Sequence, residues 1–463
     1  METSGSYFDT KRYITKESRF RNQKRLTLMK PFATSYIRRS HRVARSREVV
    51  NVLRALGRAT PGGYLPGAVC RAYGLPKSLS IAGPAKKIGI LSLGGTINAA
   101  DYIIAFQQFN LPAPTIKLIG TPNTADPGGA NTENALDIQL SAAAYSYMTG
   151  KAADITFCSA PNTDTGMAQG LNALVSAGCK YNSISWGAPE SQWSSSAREL
   201  TETALKNAIA AQCLTTVASG DNSIDDNTSS AMCDYPSGSA YALAIGGTRL
   251  TIAADGTITE ERAWGDGRSG DEGGGGGYDT NTPKPTYQNG IVAGQYRGSP
   301  DFSANADPVT GYAIYSDGQW GVVGGTSCSS PLACGMLAAF SAADIPNLAS
   351  VLYGNKATAF RDIILGSNGE PAAPGWDAAS GLGSPNGPGL AQALSGASPG
   401  PIPPPSGGGG PGGQPVPIPT PPPSQTLQQK LDAVFAELEQ LYPQEVYLLV
   451  AINRLIDRIL FHN

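Results

Sequence analysis

The stretch Gly324-Gly325-Thr326-Ser327-Cys328-Ser329-Ser330-Pro331 leads into a run of small and apolar residues that ends at Phe340. Two glycines, a serine and an early proline describe a tight turn followed by a helix. Ser327 would then lie at the helix N-terminus. There the helix dipole favours developing negative charge, and small neighbours let a substrate carbonyl approach. An ordinary N-cap is the alternative, because the same residue types form it.

Histidine is scarce in this chain. A catalytic serine needs a base within hydrogen-bonding reach, and histidine is the usual one. The two histidines are His41, in a basic N-terminal segment, and His462, the penultimate residue. A histidine-dependent hydrolase of the subtilisin type would need one end of the chain to fold back onto Ser327. If Ser327 is catalytic, we therefore expect its base to be a carboxylate.

Composition predicts a globular domain with a basic N-terminal arm at residues 1–60. With 463 residues, of which 41% are apolar and 15% charged, the chain can bury a sizeable core. The net charge of −2 is unevenly distributed: residues 1–60 hold 15 Lys and Arg against 4 Asp and Glu, and the remainder holds 19 against 32. Three interpretations of the arm stay open, namely binding to nucleic acid or another acidic surface, targeting, and disorder.

Targeting and membrane signals are weak. No segment reaches the roughly 20 apolar residues of a membrane-spanning helix, and residues 1–30 lack the apolar run of a secretory signal. The location therefore stays open between lysosomal or secreted, intracellular and particle-bound settings. The seven cysteines form no close metal-type pair, and because their number is odd, at least one is free or pairs with another chain. Their small or β-branched neighbours favour buried thiols.

Short apolar runs alternate with helical segments from residue 61 onward. The runs predict strands at 87–93, 155–158, 183–186, 215–219 and 241–245, with helices that include 167–177 and 197–211. Strands that alternate with such helices form a mostly parallel sheet with helices on both faces. Catalytic groups in these folds gather at the carboxyl ends of the strands. We therefore expect an α/β fold for residues 61–397.

Three acidic residues are notable for their positions in this predicted order of strands and helices. Glu133 and Asp137 are one helical turn apart on a mostly apolar helix with no Lys or Arg before Lys151, so their charges are uncompensated. A solvated helix tolerates such a pair, and that interpretation stays open. Asp221 follows an apolar run that ends at Val217, where an α/β enzyme places a catalytic carboxyl, although Gly-Asp is also a common turn.

Together these residues resemble the sedolisin family, the serine-carboxyl peptidases, along most of 61–394. The similar motifs are Gly325 to Ser327 with Pro331, Glu133-x-x-x-Asp137, Ser185-Trp186-Gly187 with Pro189-Glu190, Asp221, Arg297 to Asp301 with Ala304 to Pro308, and a C-terminal set from Asp362-Ile363 to Pro385. The resemblance implies a subtilisin-like fold and the hydrolysis of peptide bonds in proteins or peptides, by an endopeptidase or a tripeptidyl peptidase.

The resemblance also implies individual roles. Ser327 would attack the scissile carbonyl, Glu133 would take its proton, and Asp137 would orient Glu133 and share its charge. A protonated Asp221 would donate to the oxyanion. Because Asp221 must be neutral while Glu133 is ionised, carboxyl pKa values of about 4 place activity in acid. The substrate strand would be Ser185, Trp186 and Gly187.

A calcium ion is implied by the same resemblance. Asp362 and Asp377 would supply carboxylates, and Ile363, Ala373 and Gly375 would supply backbone carbonyls. All are oxygen donors, which Ca²⁺ prefers. Solvated acidic loops rich in glycine are the alternative.

Several positions depart from the family pattern. Members generally carry a large inhibitory prosegment, for which 60 residues are too few, and many have a glutamate where Ser92 precedes Leu93-Gly94-Gly95. Cys328 after the nucleophile and Tyr278-Asp279 in place of an expected serine are also unusual. These departures motivate a second hypothesis, a catalytically inactive relative with a structural or partner-binding role.

The C-terminal 66 residues form a separate unit in the sequence. Residues 398–424 are dominated by proline and glycine, which predicts an extended linker. Residues 425–463 carry apolar residues at helical spacing, interrupted at Pro443. Because two short amphipathic helices have little core of their own, we expect this α-helical appendage to bind a protein partner, to self-associate or to pack on the peptidase domain.

Overall fold

The structure, a computed structural model, describes residues 30–31 and 63–394, except 78, 80–85, 122–128, 164, 227, 229–230, 266–271 and 341–346. Most of the basic arm, the proline-rich linker and the helical tail lie outside the described residues, as do His41 and His462. The predictions made for them therefore stay predictions.

Nine helices and seventeen strands occur in the described part of the chain. The helices are α1 (Pro66–Ala72), α2 (Ala99–Phe109), α3 (Ala130–Thr149), α4 (Gly166–Ser176), α5 (Ser195–Ala210), α6 (Thr326–Phe340), α7 (Leu348–Gly354), α8 (Lys356–Ala359) and α9 (Gly387–Leu394). The strands are β1 (Lys30–Pro31), β2 (Lys87–Ser92), β3 (Thr115–Gly120), β4 (Asp154–Ser159), β5 (Tyr181–Ile184), β6 (Trp186–Pro189), β7 (Leu214–Ala218), β8 (Asp234–Tyr235), β9 (Leu243–Ile252), β10 (Ile258–Ala263), β11 (Gly277–Pro283), β12 (Tyr296–Ser299), β13 (Phe302–Asn305), β14 (Tyr312–Ser316), β15 (Gln319–Val323), β16 (Phe360–Arg361) and β17 (Ser384–Pro385).

The main sheet has eight strands, in the order β10-β9-β7-β5-β2-β4-β3 with β13 beside β9. All neighbours are parallel except β10, which is antiparallel to β9. In the centre, Ile88 of β2 pairs with Ile155 of β4 and with Tyr181 of β5. The central strands are buried almost throughout, as expected for a parallel sheet covered on both faces.

Two apolar clusters cover the sheet. One includes the buried side chains of α2, α3 and α6, and the other those of α4 and α5. The mostly parallel α/β fold with helices on both faces is therefore confirmed. All seven cysteines are free and buried, in agreement with the prediction of buried thiols.

The smaller sheets lie around this core. A three-stranded sheet has the order β1-β6-β8, in which the backbone of Lys30 in the basic arm pairs antiparallel with Gly187. Three further strand pairs are β11-β12, β14-β15 and β16-β17. Among the described residues, no helix combines the length and apolar character needed to cross a membrane.

Candidate active site

Ser327 lies in the first turn of α6, directly after a glycine turn. Gly325 has a φ of +115°, and its N–H donates to the carbonyl of Ala306 at 2.6 Å. A Cβ at Gly324 would lie 2.4 Å from that same carbonyl oxygen, so this close approach of the backbone requires glycine. Ser327 is fully buried, and its Oγ has no hydrogen-bond partner among the described residues.

Glu133 and Asp137 lie one turn apart on α3, and both are 0% exposed. α3 packs along α6. A Cβ at Gly335 of α6 would be only 2.0 Å from the carbonyl oxygen of Ser141 in α3, so glycine allows the two helix backbones to touch. This packing fixes the position of the acidic helix relative to the helix that carries Ser327.

Asp137 is held by a hydroxyl group. Ser185, between β5 and β6, donates from Oγ to Asp137 Oδ1 at 2.6 Å. Burial raises the pKa of Asp137 well above its ordinary value, and the bond from Ser185 lowers it in part. The raised pKa favours the protonated form of Asp137.

Asp221 follows β7 and lies at the N-terminus of α6. Its Oδ1 accepts hydrogen bonds from the N–H of Thr326 at 2.7 Å and from Thr326 Oγ1 at 2.8 Å. Thr326 Oγ1 also accepts the N–H of Gly220 at 3.1 Å. These bonds fix Asp221, which is 2% exposed, beside the residue that precedes Ser327.

The surroundings of Cys328 show that the acidic residues converge on this helix end. Burial raises the pKa of the Cys328 thiol well above its ordinary value, and the charges of Glu133, Asp221 and Asp137 raise it further. The raised pKa disfavours the thiolate, the form in which a thiol attacks. The structure thus brings the four residues of the sequence hypothesis to one end of α6.

The strand expected to bind substrate is more buried than its sequence suggests. Ser185 and Trp186 are 0% exposed, and Gly187 is buried as well. The Ser185 side chain points to Asp137, and the backbone of Trp186 and Gly187 pairs with Pro31 and Lys30 of β1. The role of the three residues in substrate binding stays a prediction.

The residues expected to bind calcium form one surface loop. Asp362 Oδ2 accepts the N–H of Gly375 and Asp377 Oδ2 accepts the N–H of Ala373, both at 2.9 Å. Asp377 Oδ1 accepts from Ser380 N at 2.8 Å. Within the described residues, no group of three or more His, Cys, Asp or Glu side chains could hold a metal. The two carboxylates and the backbone oxygens are donors of the kind that Ca²⁺ takes.

Asp234 is a buried acid that sequence reasoning missed. Its strand β8 pairs with β6, and a Cβ at Gly220 would lie 2.1 Å from its Oδ2. Burial raises its pKa well above the ordinary value, and Asp226 and Asp221 raise it further. Cys233-Asp234-Tyr235 contains no local signal, because only the pairing of β8 with β6 brings this acid to the site.

Another buried acid, Glu190 of the Pro189-Glu190 motif, follows β6. Glu190 Oε1 accepts from Thr280 Oγ1 at 2.8 Å, and Arg198 approaches Glu190 Oε2 at 3.9 Å and Asp279 Oδ2 at 3.0 Å. Burial raises the pKa of Glu190 to about 7, aided by a hydrogen bond to Asp279 and by its charge. One guanidinium thus faces two buried carboxyl groups.

The fold and the arrangement of the site define the subtilisin-like class of α/β proteins. A profile of the subtilase family (peptidase S8) matches residues 125–383, which is more than half of the chain. The chain belongs to this family and, within it, to the sedolisin family.

Kumamolisin from Bacillus sp. (strain MN-32) is 35% identical over 367 residues, which are 73% of this chain and 64% of kumamolisin. Sedolisin from Pseudomonas sp. (strain 101) is 31% identical over 251 residues, which are 48% of this chain and 42% of sedolisin. The chain thus spans about half the length of these relatives. The structure of Pseudomonas sedolisin (serine-carboxyl proteinase) complexed with two molecules of pseudo-iodotyrostatin has a TM-score of 0.63 at 24% identity, and covers 73% of this chain and 99% of that chain.

Proposed function

We propose that this chain is a serine peptidase that acts in acid through Ser327, Glu133 and Asp137, with Asp221 in the oxyanion hole. The observation that supports this most strongly is the convergence of three buried carboxyl groups on the end of α6 that carries Ser327. Membership of the sedolisin family supports the same chemistry.

In the proposed reaction, Ser327 Oγ attacks the scissile carbonyl carbon while Glu133 accepts the hydroxyl proton. The carbonyl electron pair moves onto oxygen, where neutral Asp221 donates a hydrogen bond. Glu133 then passes its proton to the leaving amine, and water hydrolyses the acyl-enzyme by the same steps. Since Asp221 Oδ1 already accepts two hydrogen bonds from Thr326, its proton resides on Oδ2.

The surroundings of Glu133 and Asp137 support the separate roles that we propose for them. In this proposal Asp137, whose pKa burial raises, holds the shared proton while Glu133 carries the charge. The Oγ of Ser327 makes no hydrogen bond to a described residue, so substrate binding must bring the hydroxyl and Glu133 into contact. Catalytic hydrogen bonds are often long or absent before substrate binds.

The first test compares the protein with Ser327→Ala on denatured protein substrates between about pH 3 and pH 8. We expect cleavage that is strongest in acid and abolished in S327A. Asp221→Ala should lose about 10²- to 10³-fold in rate, the usual effect of one oxyanion donor. Ser329→Ala, which removes another buried hydroxyl of α6, is the control and should remain active. No cleavage at any pH would favour the inactive, partner-binding relative.

We also propose that Ca²⁺ binds the loop of Asp362 and Asp377, because both carboxylates reach the turn 373–375 and the remaining donors are backbone oxygens. The ion would supply positive charge that links the two ends of this loop. Chelation should lower the thermal unfolding temperature, and added Ca²⁺ should restore it. Asp377→Asn should abolish the response, whereas Asp255→Asn, in the turn between β9 and β10, should keep it. A chelator-insensitive wild type would contradict the proposal.

A further inference from the structure

The turn after β2 lies against the first turn of α3, where Glu133 is located. Gly95 in this turn has a φ of +67°. A Cβ at Gly95 would lie 2.8 Å from Asn131 Oδ1 and 2.9 Å from Cβ of Ala130. Only glycine permits this contact, so the turn and the helix are fitted to each other.

Two asparagines join the turn to the helix. Asn134 Nδ2 donates to the carbonyl oxygens of Gly94 at 3.0 Å and Thr96 at 3.1 Å. Asn131 Oδ1 accepts the N–H of Thr96 at 2.8 Å. Asn134 is 0% exposed. The two asparagines lie on either side of Glu133 in the sequence, so the bonds hold the backbone from which Glu133 projects.

Ser92 also takes part in the hydrogen bonds at the turn after β2. Its Oγ donates to the Gly94 carbonyl at 2.8 Å, so this oxygen accepts from both Ser92 and Asn134. The N-cap residue of α3 is Gly129, which makes no side-chain cap. Because no side-chain cap holds this first turn, the hydrogen bonds of Asn134 and Asn131 are the side-chain bonds that tie it to the turn Gly94–Thr96.

We infer that Asn134 is a positioning residue for Glu133, acting through the turn Gly94–Thr96. The inference rests on the proposed function, in which Glu133 accepts the proton of Ser327. A misplacement of a catalytic group by about 1 Å costs on the order of 10²-fold in rate. Loss of the two bonds would therefore lower kcat more than it weakens substrate binding.

The test measures kcat and KM of Asn134→Ala together with its thermal unfolding temperature. We expect kcat to fall about 10- to 100-fold with KM changed less than about twofold. The control is Asn386→Ala, which removes a partly buried amide that donates to the Thr358 carbonyl at 2.7 Å, at the start of α9. This control should lose stability without loss of kcat.

Asn134→Asp separates positioning from folding. A protonated aspartic acid can donate one of the two bonds, whereas the ionised form donates none and repels Glu133. The kcat of N134D should exceed that of N134A in acid and fall below it as the pH rises. Asn131→Ala, at a more exposed position, should lower kcat in the same direction but less.

The outcomes are distinct. If the wild type cleaves substrate and N134A and N134D retain the kcat of N386A, the inference fails and the proposed function stands. Equal losses in N134A and N386A would show a structural role only and would also overturn it. A wild type without activity at any pH would overturn the proposed function and this inference together.

Discussion

Ser185 shows how one hydroxyl connects the strand expected to bind substrate with the acid pair. Its bond to Asp137 is 2.6 Å long, and both residues are 0% exposed. Since this bond lowers the pKa of Asp137 while burial raises it, removing the hydroxyl would raise that pKa further.

We expect Ser185→Ala to reduce kcat about 10- to 100-fold, because it leaves a buried oxygen of Asp137 without its hydrogen-bond donor, which costs about 1–3 kcal/mol. The pH profile of kcat should shift toward higher pH, the direction in which the Asp137 pKa moves. The matched control is Ser384→Ala, since Ser384 donates to Glu261 at 2.6 Å in another part of the domain. An unshifted profile in S185A, or an equal shift in S384A, would contradict this prediction.

The sequence allowed candidate catalytic residues to be predicted where the chemistry itself limits the choice. Ser327 follows two glycines, the histidines are remote in sequence, and Glu133 and Asp137 share one helical face. Asp221 was found because it follows a strand. Asp234 could not be found in this way, since its proximity to Gly220 arises from pairing between β8 and β6, which are far apart in sequence.

At the scale of elements, the contact between α3 and α6 determines how close Glu133 and Asp137 lie to Ser327. Gly335 would place a Cβ 2.0 Å from the Ser141 carbonyl, too close for any side chain without separation of the helices. Overpacking in a core typically costs 1–3 kcal/mol or more. A shift of α3 would also move Glu133 and Asp137 away from Ser327.

We expect Gly335→Ala to lower the free energy of unfolding by about 2 kcal/mol or more and to reduce kcat. Urea unfolding and steady-state kinetics measure the two effects. Gly354→Ala is the control, because a Cβ at this position of α7 meets nothing within 4 Å. It should change stability by no more than about 1 kcal/mol. If G335A behaved like G354A, close contact between α3 and α6 would not be needed.

The hydrophobic pattern of the sequence predicted strands of the central sheet, but it predicted fewer of the strands elsewhere. The five expected strands correspond to β2, β4, β5, β7 and β9, with boundaries displaced by one to several residues. The exposed edge strand β3 and the strands β10 to β17 were not predicted, because short strands with polar residues carry a weak periodic signal. Their pairing depends on tertiary contacts.

At the scale of the whole molecule, buried acids link stability to pH. Glu190 is 6% exposed, and its pKa rises from 4.5 to about 7, chiefly through burial and then through its hydrogen bond with Asp279. Burial also raises the pKa of Asp234. A group with a raised pKa in the folded state contributes stability below its unfolded pKa, and this contribution is lost as the pH rises through the folded value. Folding thus favours the acidic range in which the proposed activity operates.

The free energy of unfolding should therefore fall between about pH 4.5 and pH 8, with Glu190 alone contributing on the order of 3 kcal/mol. Glu190→Gln keeps the shape of the side chain and cannot ionise, so it should flatten this decline and make the protein more stable than the wild type near pH 8. Urea unfolding at several pH values measures the slope. Glu199→Gln, on the exposed face of the same helix as Arg198, should leave it unchanged. Should E190Q and E199Q follow the wild-type curve alike, Glu190 would carry its charge at neutral pH without cost, and the guanidinium of Arg198 would be sufficient for both acids.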